Sequence, residues 1–114
     1  MRVLVVEDDA ARATYFIERF GKYSLIITEN ADDAILYLSN NVFDIIFLDH
    51  DLGENNGCGA DVIAFLYSNP QNLNNESRII IHSWNMPAVE AMLSLLPQAY
   101  FFPYNSEEFL SIDT

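Results

Sequence analysis

The chain has 114 residues, 51% of them hydrophobic, and carries 5 basic against 17 acidic side chains for a net charge of −12. That length suits one domain, 1–114, with an ordinary core. The charge argues against duplex nucleic acid and anionic membrane surfaces as partners. One cysteine, Cys58, leaves no intrachain disulfide and fits a reducing, cytoplasmic setting. The first apolar run is too short for a signal peptide, and no segment nears the roughly 20 apolar residues of a membrane span.

In chain order, Arg2 to Val6 predicts a first strand that empties into Glu7-Asp8-Asp9. Ala13, Phe16, Ile17 and Phe20 follow at helical spacing, with Gly21 placed to end that helix. Ser24 to Thr28 predicts a second strand, and Asn30 can cap a helix whose inner face is Ala31, Ala34, Ile35 and Leu38. The third strand, Asp44 to Leu48, is apolar through its centre, as a strand buried on both faces should be. It empties into Asp49-His50-Asp51-Leu52-Gly53 and a Gly- and Asn-rich loop to Gly59. Ile63, Leu66 and Tyr67 mark a third helix ending before Pro70, and Gln71 to Ser77 reads as an exposed polar connection. A fourth strand, Arg78 to Ile81, empties into His82-Ser83-Trp84-Asn85. Pro87 can start a helix with the stripe Val89, Met92, Leu93 and Leu96. Gln98 to Phe102 predicts a fifth strand broken by Pro103, and Ser106-Glu107-Glu108 opens a truncated last helix.

Alternating strands and helices with right-handed crossovers give an α/β fold, a flavodoxin-like doubly wound sheet of five parallel strands in the order 2-1-3-4-5. Strands one and three meet at the topological switch point, where ligands bind beyond the carboxyl ends of strands. Strand four lies beside strand three, so Glu7, Asp8, Asp49 and His82 converge on one edge. A carboxylate closing an apolar strand, as Asp49 does, is costly unless paired or metal-bound. Mg²⁺ or Mn²⁺ takes such hard oxygen ligands.

Several residues have simpler readings. Asp9 suits a helix N-terminus. Asp51 is divided between turn chemistry and the site. His50 faces away from Asp49 if the segment is extended. His82 is either a proton-transfer group or a core-edge histidine bonded to the main chain. Ser83 and Asn85 either donate to phosphate oxygens or cap the helix at Pro87. Trp84 either covers the pocket or lies on the surface, and Cys58 packs as a small apolar residue. Glu54 and Ala60 break the calcium-loop pattern, and the glycines at 53, 57 and 59 lack the Gly-Lys-Ser/Thr of a phosphate loop.

Val3-Leu4-Val5-Val6-Glu7-Asp8-Asp9 and Asp44-Ile45-Ile46-Phe47-Leu48-Asp49, with Asp51-Leu52-Gly53 behind it, resemble the opening and phosphoacceptor strands of a response-regulator receiver domain. The resemblance implies that Glu7, Asp8 and Asp49 hold Mg²⁺, with the main chain near Asp51 helping, and that Asp49 takes a phosphoryl group from a kinase. Two positions depart from receivers. His82 stands where they carry Thr or Ser, and Phe102 stands before Pro103 where they carry Lys. Leu48-Asp49-His50-Asp51-Leu52-Gly53 and Ile81-His82-Ser83-Trp84-Asn85 are similar to a divergent receiver group of phage and bacteria proposed to process cyclic phosphates. That resemblance implies Asp49 and His82 as catalytic residues and Ser83 and Asn85 as phosphate-binding residues. Three readings stand open: a metal-dependent phosphoesterase acting on a small phosphate compound, a receiver phosphorylated on Asp49 by a phosphodonor, and a protein-binding module with a vestigial pocket.

Overall fold

A computed structural model describes residues 1–112. Strands β1 (Arg2–Val6), β2 (Ser24–Thr28), β3 (Ile45–Leu48), β4 (Arg78–Ile81) and β5 (Tyr100–Phe101) form one parallel sheet in the order β2-β1-β3-β4-β5. Helices α1 (Ala10–Phe20), α2 (Ala31–Asn40), α3 (Gly59–Ser68), α4 (Met86–Leu95) and the short α5 (Glu107–Leu110) connect and close it.

The continuous apolar runs arise because the central strands are covered on both faces. Leu4, Val6, Ile46, Leu48, Ile79 and Ile81 face α2, α3 and α4, where they meet Ala34, Leu38, Val62, Ile63, Val89 and Met92. Val3, Val5, Ile45, Phe47 and Ile80 alternate to the other face and pack against Phe16 and Phe20 of α1 and Phe109 of α5. Asp9, Asn30 and Asn85 each cap a helix by accepting a main-chain N–H. Cys58 is half-buried and caps α3, with the Asp61 carboxylate accepting its main-chain N–H at 2.9 Å.

Three expectations need correction. Ile17 is 55% exposed and Tyr67 57%, because Phe16 with Phe20 sets the phase of α1 and Val62, Ile63 and Leu66 set that of α3. The connection before β4 is not uniformly exposed. Asn74 is buried, accepts the Phe43 N–H at 2.7 Å and donates to the carbonyls of Leu38 and Asn41. β5 has two residues rather than five, although the Phe102 N–H still reaches Ile81 and the Tyr104 N–H reaches His82. Pro87 lies in the first turn of α4, one residue after Met86, as the sequence predicts.

Gly59 is where α3 meets the end of β3. A Cβ there would lie 2.1 Å from the carbonyl oxygen of Asp49 and 3.0 Å from the Cα of His50, both main-chain atoms that cannot swing aside. Gly59→Ala is therefore expected to lower stability by about 1–3 kcal/mol, the range for overpacking. Urea denaturation checks this. An unchanged midpoint would mean that the loop around Asp49 is not clamped as described.

Candidate functional site

Register builds the site. Val5, Phe47 and Ile80 are aligned neighbours across β1, β3 and β4, all turned toward α1 and α5. Two residues on, the same face presents Glu7, Asp49 and His82 at the carboxyl edge. Hydrogen bonds from the Asp49 N–H to the Val6 carbonyl and from the His82 N–H to the Leu48 carbonyl continue the ladders to that point. Each of the three residues offers a ligand atom, and these atoms lie within 4.8 Å of one another. All three side chains are buried.

Nε2 of His82 lies 3.0 Å from Oε1 of Glu7. A carboxylate can only accept, so this nitrogen carries the proton. The other oxygen of Glu7 accepts the N–H groups of Asp8 and Asp9 at 3.0 and 3.1 Å. Burial alone would raise the Glu7 carboxyl. The hydrogen bond and charge of His82, the Asp9 amide and Arg12 outweigh it and hold the group down at about 2. Asp49 moves the other way. Burial and the charge of Glu7 push its carboxyl up to about 6, despite His82 nearby and the His50 N–H donating to Oδ1 at 2.8 Å. Two carboxylates side by side thus hold their protons very differently.

His82 is walled by aromatic rings: Phe16 at 5.3 Å between centroids, Phe47 and Phe109 each at 6.3 Å. Its Nδ1 is buried with no hydrogen-bond partner. The imidazole therefore sits beneath Glu7, with Nε2 bonded to that carboxylate.

Asp8 is half-buried on the loop side. A Cβ at Gly53 would stand 3.6 Å from its Oδ2, and Gly53 has a φ of +88°, so the turn after β3 closes against this carboxylate. Burial, with the Glu7 charge adding to it, raises the Asp8 carboxyl. Asp51 is exposed and accepts the side-chain N–H of Asn85 at 3.2 Å. Asn85 also caps α4 through Oδ1, and the buried Ser83 Oγ accepts the Asn85 N–H at 3.0 Å. The capping reading is thus present for Asn85, while Ser83 accepts the N–H of the cap residue itself, and the Asn85 amide additionally ties β4's exit to the Asp51 loop. His50 is half-buried, with Nδ1 lacking a partner. Trp84 is 60% exposed and donates its indole N–H to the carbonyl of Tyr104 at 3.0 Å.

Arg12 is the site residue that strand-end reasoning misses. Its Nε lies 3.0 Å from Glu7 Oε1 and its guanidinium reaches to 3.6 Å from Asp49 Oδ2. The guanidinium also lies over the Tyr104 ring, 5.7 Å from its centre. A signal did exist: Arg12, Phe16 and Phe20 are spaced by four, so Arg12 continues the buried stripe of α1 up to the acidic edge.

Three carboxylates crowd an edge whose one nearby guanidinium, among the described residues, is that of Arg12, an excess of hard oxygen donors that fits Mg²⁺ or Mn²⁺. Asp8 and Asp49 have oxygens to offer, whereas Glu7 already accepts from His82 and two amides and lies against the Arg12 charge.

Residues 2–98 match the model of the cyclic-phosphate processing receiver domain family. No functionally curated protein matches the chain. Solved structures similar in fold include a response regulator from Burkholderia pseudomallei with a phosphorylated aspartic acid, calcium ion and citrate (20% identity, TM-score 0.73). The match covers 96% of this chain and 64% of that one, so the chain spans less than two thirds of the Burkholderia protein. The phosphorylated cyanobacterial phytochrome response regulator RcpA matches at 18% identity and TM-score 0.73, covering 96% and 83%. A CheY-like receiver domain from Methylobacillus flagellatus matches at 19% and 0.72, covering 97% and 91%. At these identities the likeness concerns the fold. No helix among the described residues is long and apolar enough to cross a membrane.

Proposed function

Since the chain belongs to the family of cyclic-phosphate processing receiver domains, we propose that its acidic edge binds the phosphate group of a small cyclic phosphate and opens the ring by hydrolysis. The observation that carries this reading is the buried Glu7–His82 pair beside Asp49, where a signalling receiver would have a hydroxyl. Asp8 and Asp49, with the main chain at Asp51, are the residues to hold Mg²⁺ or Mn²⁺. Such an ion, when bound, polarises a phosphate oxygen. The chain's own groups do the rest. Asn85 and Ser83 sit where an amide and a hydroxyl can donate to phosphate oxygens. His82 donates its Nε2 proton to Glu7 and keeps that carboxylate ionised, while Asp49, whose carboxyl is pushed up to about 6, is the group that can exchange a proton with the reacting oxygens near neutral pH. Burial of the Glu7–His82 pair among phenyl rings keeps its hydrogen bond out of competition with water. The single half-buried cysteine suits a cytoplasmic protein.

Purified protein assayed on a panel of cyclic phosphates with Mg²⁺ is expected to turn over at least one. Asp8→Asn, Asp49→Asn and His82→Gln should each lower the rate by roughly a hundredfold or more. Equal inactivity of wild type and Asp49→Asn across the panel would sink the reading.

A second reading has its own support: Asp49 closes β3 beside a raised Asp8, and the Burkholderia regulator carries a phosphorylated aspartic acid. In it Asp49 accepts a phosphoryl group from a donor and a protein partner reads the state. Acetyl phosphate with Mg²⁺, followed by intact mass, tests it, since a stable adduct lost in Asp49→Asn would move the assignment from catalysis to signalling.

A further inference from the structure

We propose that Arg12 is the cationic anchor for phosphate at this edge, with Tyr104 as the positioning residue that holds its guanidinium in place. This rests on the phosphate-binding reading above and supplies the recognition element that reading leaves out.

The argument begins with charge. A phosphate group approaching Glu7, Asp8 and Asp49 meets like charge from all three, so it needs cationic help from the protein. The chain has five basic residues. Arg2 and Arg78 open β1 and β4, at the amino edge of the sheet. Arg19 donates to the carbonyls of Phe109 and Ile112, and Lys22 lies over the Tyr23 ring. Arg12 alone of the five pairs with the acids of the site.

Its donors are also unspent. Nε is buried and 3.0 Å from Glu7 Oε1, yet the approach lies outside hydrogen-bonding angles and the proton has no acceptor. The terminal nitrogen is 3.6 Å from Asp49 Oδ2, which is ion-pair range but too long for a hydrogen bond. Nε is enclosed beside Glu7, but the Arg12 side chain is 33% exposed and its terminal amino groups bond neither carboxylate, so they are open to a third acceptor, and phosphate oxygens match such a planar pair of donors. Tyr104 fixes the orientation: its ring underlies the guanidinium and is itself wedged edge-on against Tyr15 at 5.5 Å, while its carbonyl holds Trp84. Phe102 brings no charge to the end of β5, and two residues later Tyr104 supports a cation delivered by α1.

The experiment titrates ¹⁵N-labelled protein with inorganic phosphate at fixed millimolar MgCl₂ and follows the Arg12 Nε–H resonance, assigned by its loss in Arg12→Lys. In wild type this signal should shift saturably, with the same half-point as the amides of Asp49 and His50. Arg12→Gln should weaken phosphate by about tenfold or more, the scale of one charge-assisted hydrogen bond. Arg12→Lys should weaken it by only about threefold, keeping charge but not the fork. Tyr104→Leu should fall between wild type and Arg12→Gln, and Lys22→Gln, which removes equal charge elsewhere, should leave affinity unchanged. If phosphate binds while the Arg12 signal stays still and Arg12→Gln binds as wild type, the anchor is refuted and the phosphate site survives. If wild type shows no saturable binding with Mg²⁺, the site and its anchor fall together. Should Arg12→Gln not fold, the wild-type resonance and Arg12→Lys decide the matter: an unmoved signal with undiminished lysine-variant affinity overturns the assignment.

Discussion

His82→Phe is expected to lower stability at neutral pH by roughly 1–3 kcal/mol or more, the scale for leaving a buried carboxylate without its hydrogen-bond donor. Phenylalanine is the informative replacement because the site is already a box of Phe16, Phe47 and Phe109. It fills the space, so the loss measures the stranded Glu7 carboxylate and not a cavity. The sign of the pH dependence follows from Glu7. Its folded pKa of about 2 lies below the ordinary 4.5, so the wild-type pair contributes stability that is present above about pH 4.5 and lost as pH falls toward 2. In the variant the largest surviving influence is burial, which raises the carboxyl and reverses the slope. The gap between the two proteins should thus be wide at pH 7 and close toward pH 2. Urea denaturation at several pH values reads it. A variant as stable as wild type at pH 7 would show that the pair contributes nothing.

Asp49→Asn should act in the opposite direction. The folded pKa of about 6 lies above the ordinary 3.8, so the folded protein binds the extra proton between those values. Wild type therefore loses stability as pH rises from about 4 to 6, and the full penalty persists above. Without metal, the asparagine variant should be more stable than wild type at pH 8 by on the order of 1–3 kcal/mol, and equal to it near pH 4. Mg²⁺ should invert the order. Wild type gains stability by mass action, about 2.7 kcal/mol at a hundredfold excess over Kd, and the variant does not. Chelation should return wild type to its lower value. Thermal melts with and without MgCl₂ test both halves, and a variant that gains as much from Mg²⁺ as wild type would remove Asp49 from the metal site.

The two proteins so compared are near-isosteres, which matters for what could be read in advance. β1, β3 and β4 were legible because burial on both faces writes an unbroken apolar run. Glu7, Asp49 and His82 were legible because they close those runs in register. Ile17 and Tyr67 turn outward although they fit the apolar spacing, because periodicity leaves a helix free to rotate by one residue and only the partner surface chooses the phase. Arg12 is not singled out by strand ends, since its place at the site depends on which turn of α1 overhangs the sheet. Asn74 escaped for a related reason. In a stretch of polar residues nothing marks the one whose amide matches the Phe43 N–H and the carbonyls of Leu38 and Asn41.

The indole bonded to the Tyr104 carbonyl has a practical consequence. Trp84 is the sole tryptophan of the chain, so emission excited beyond the tyrosine absorption band comes from one indole, two residues past His82 and latched to the segment that supports Arg12. A ligand that shifts either loop will change the polarity around that ring. The protein thus carries its own optical reporter, and stopped-flow mixing can time events at the rim without any label.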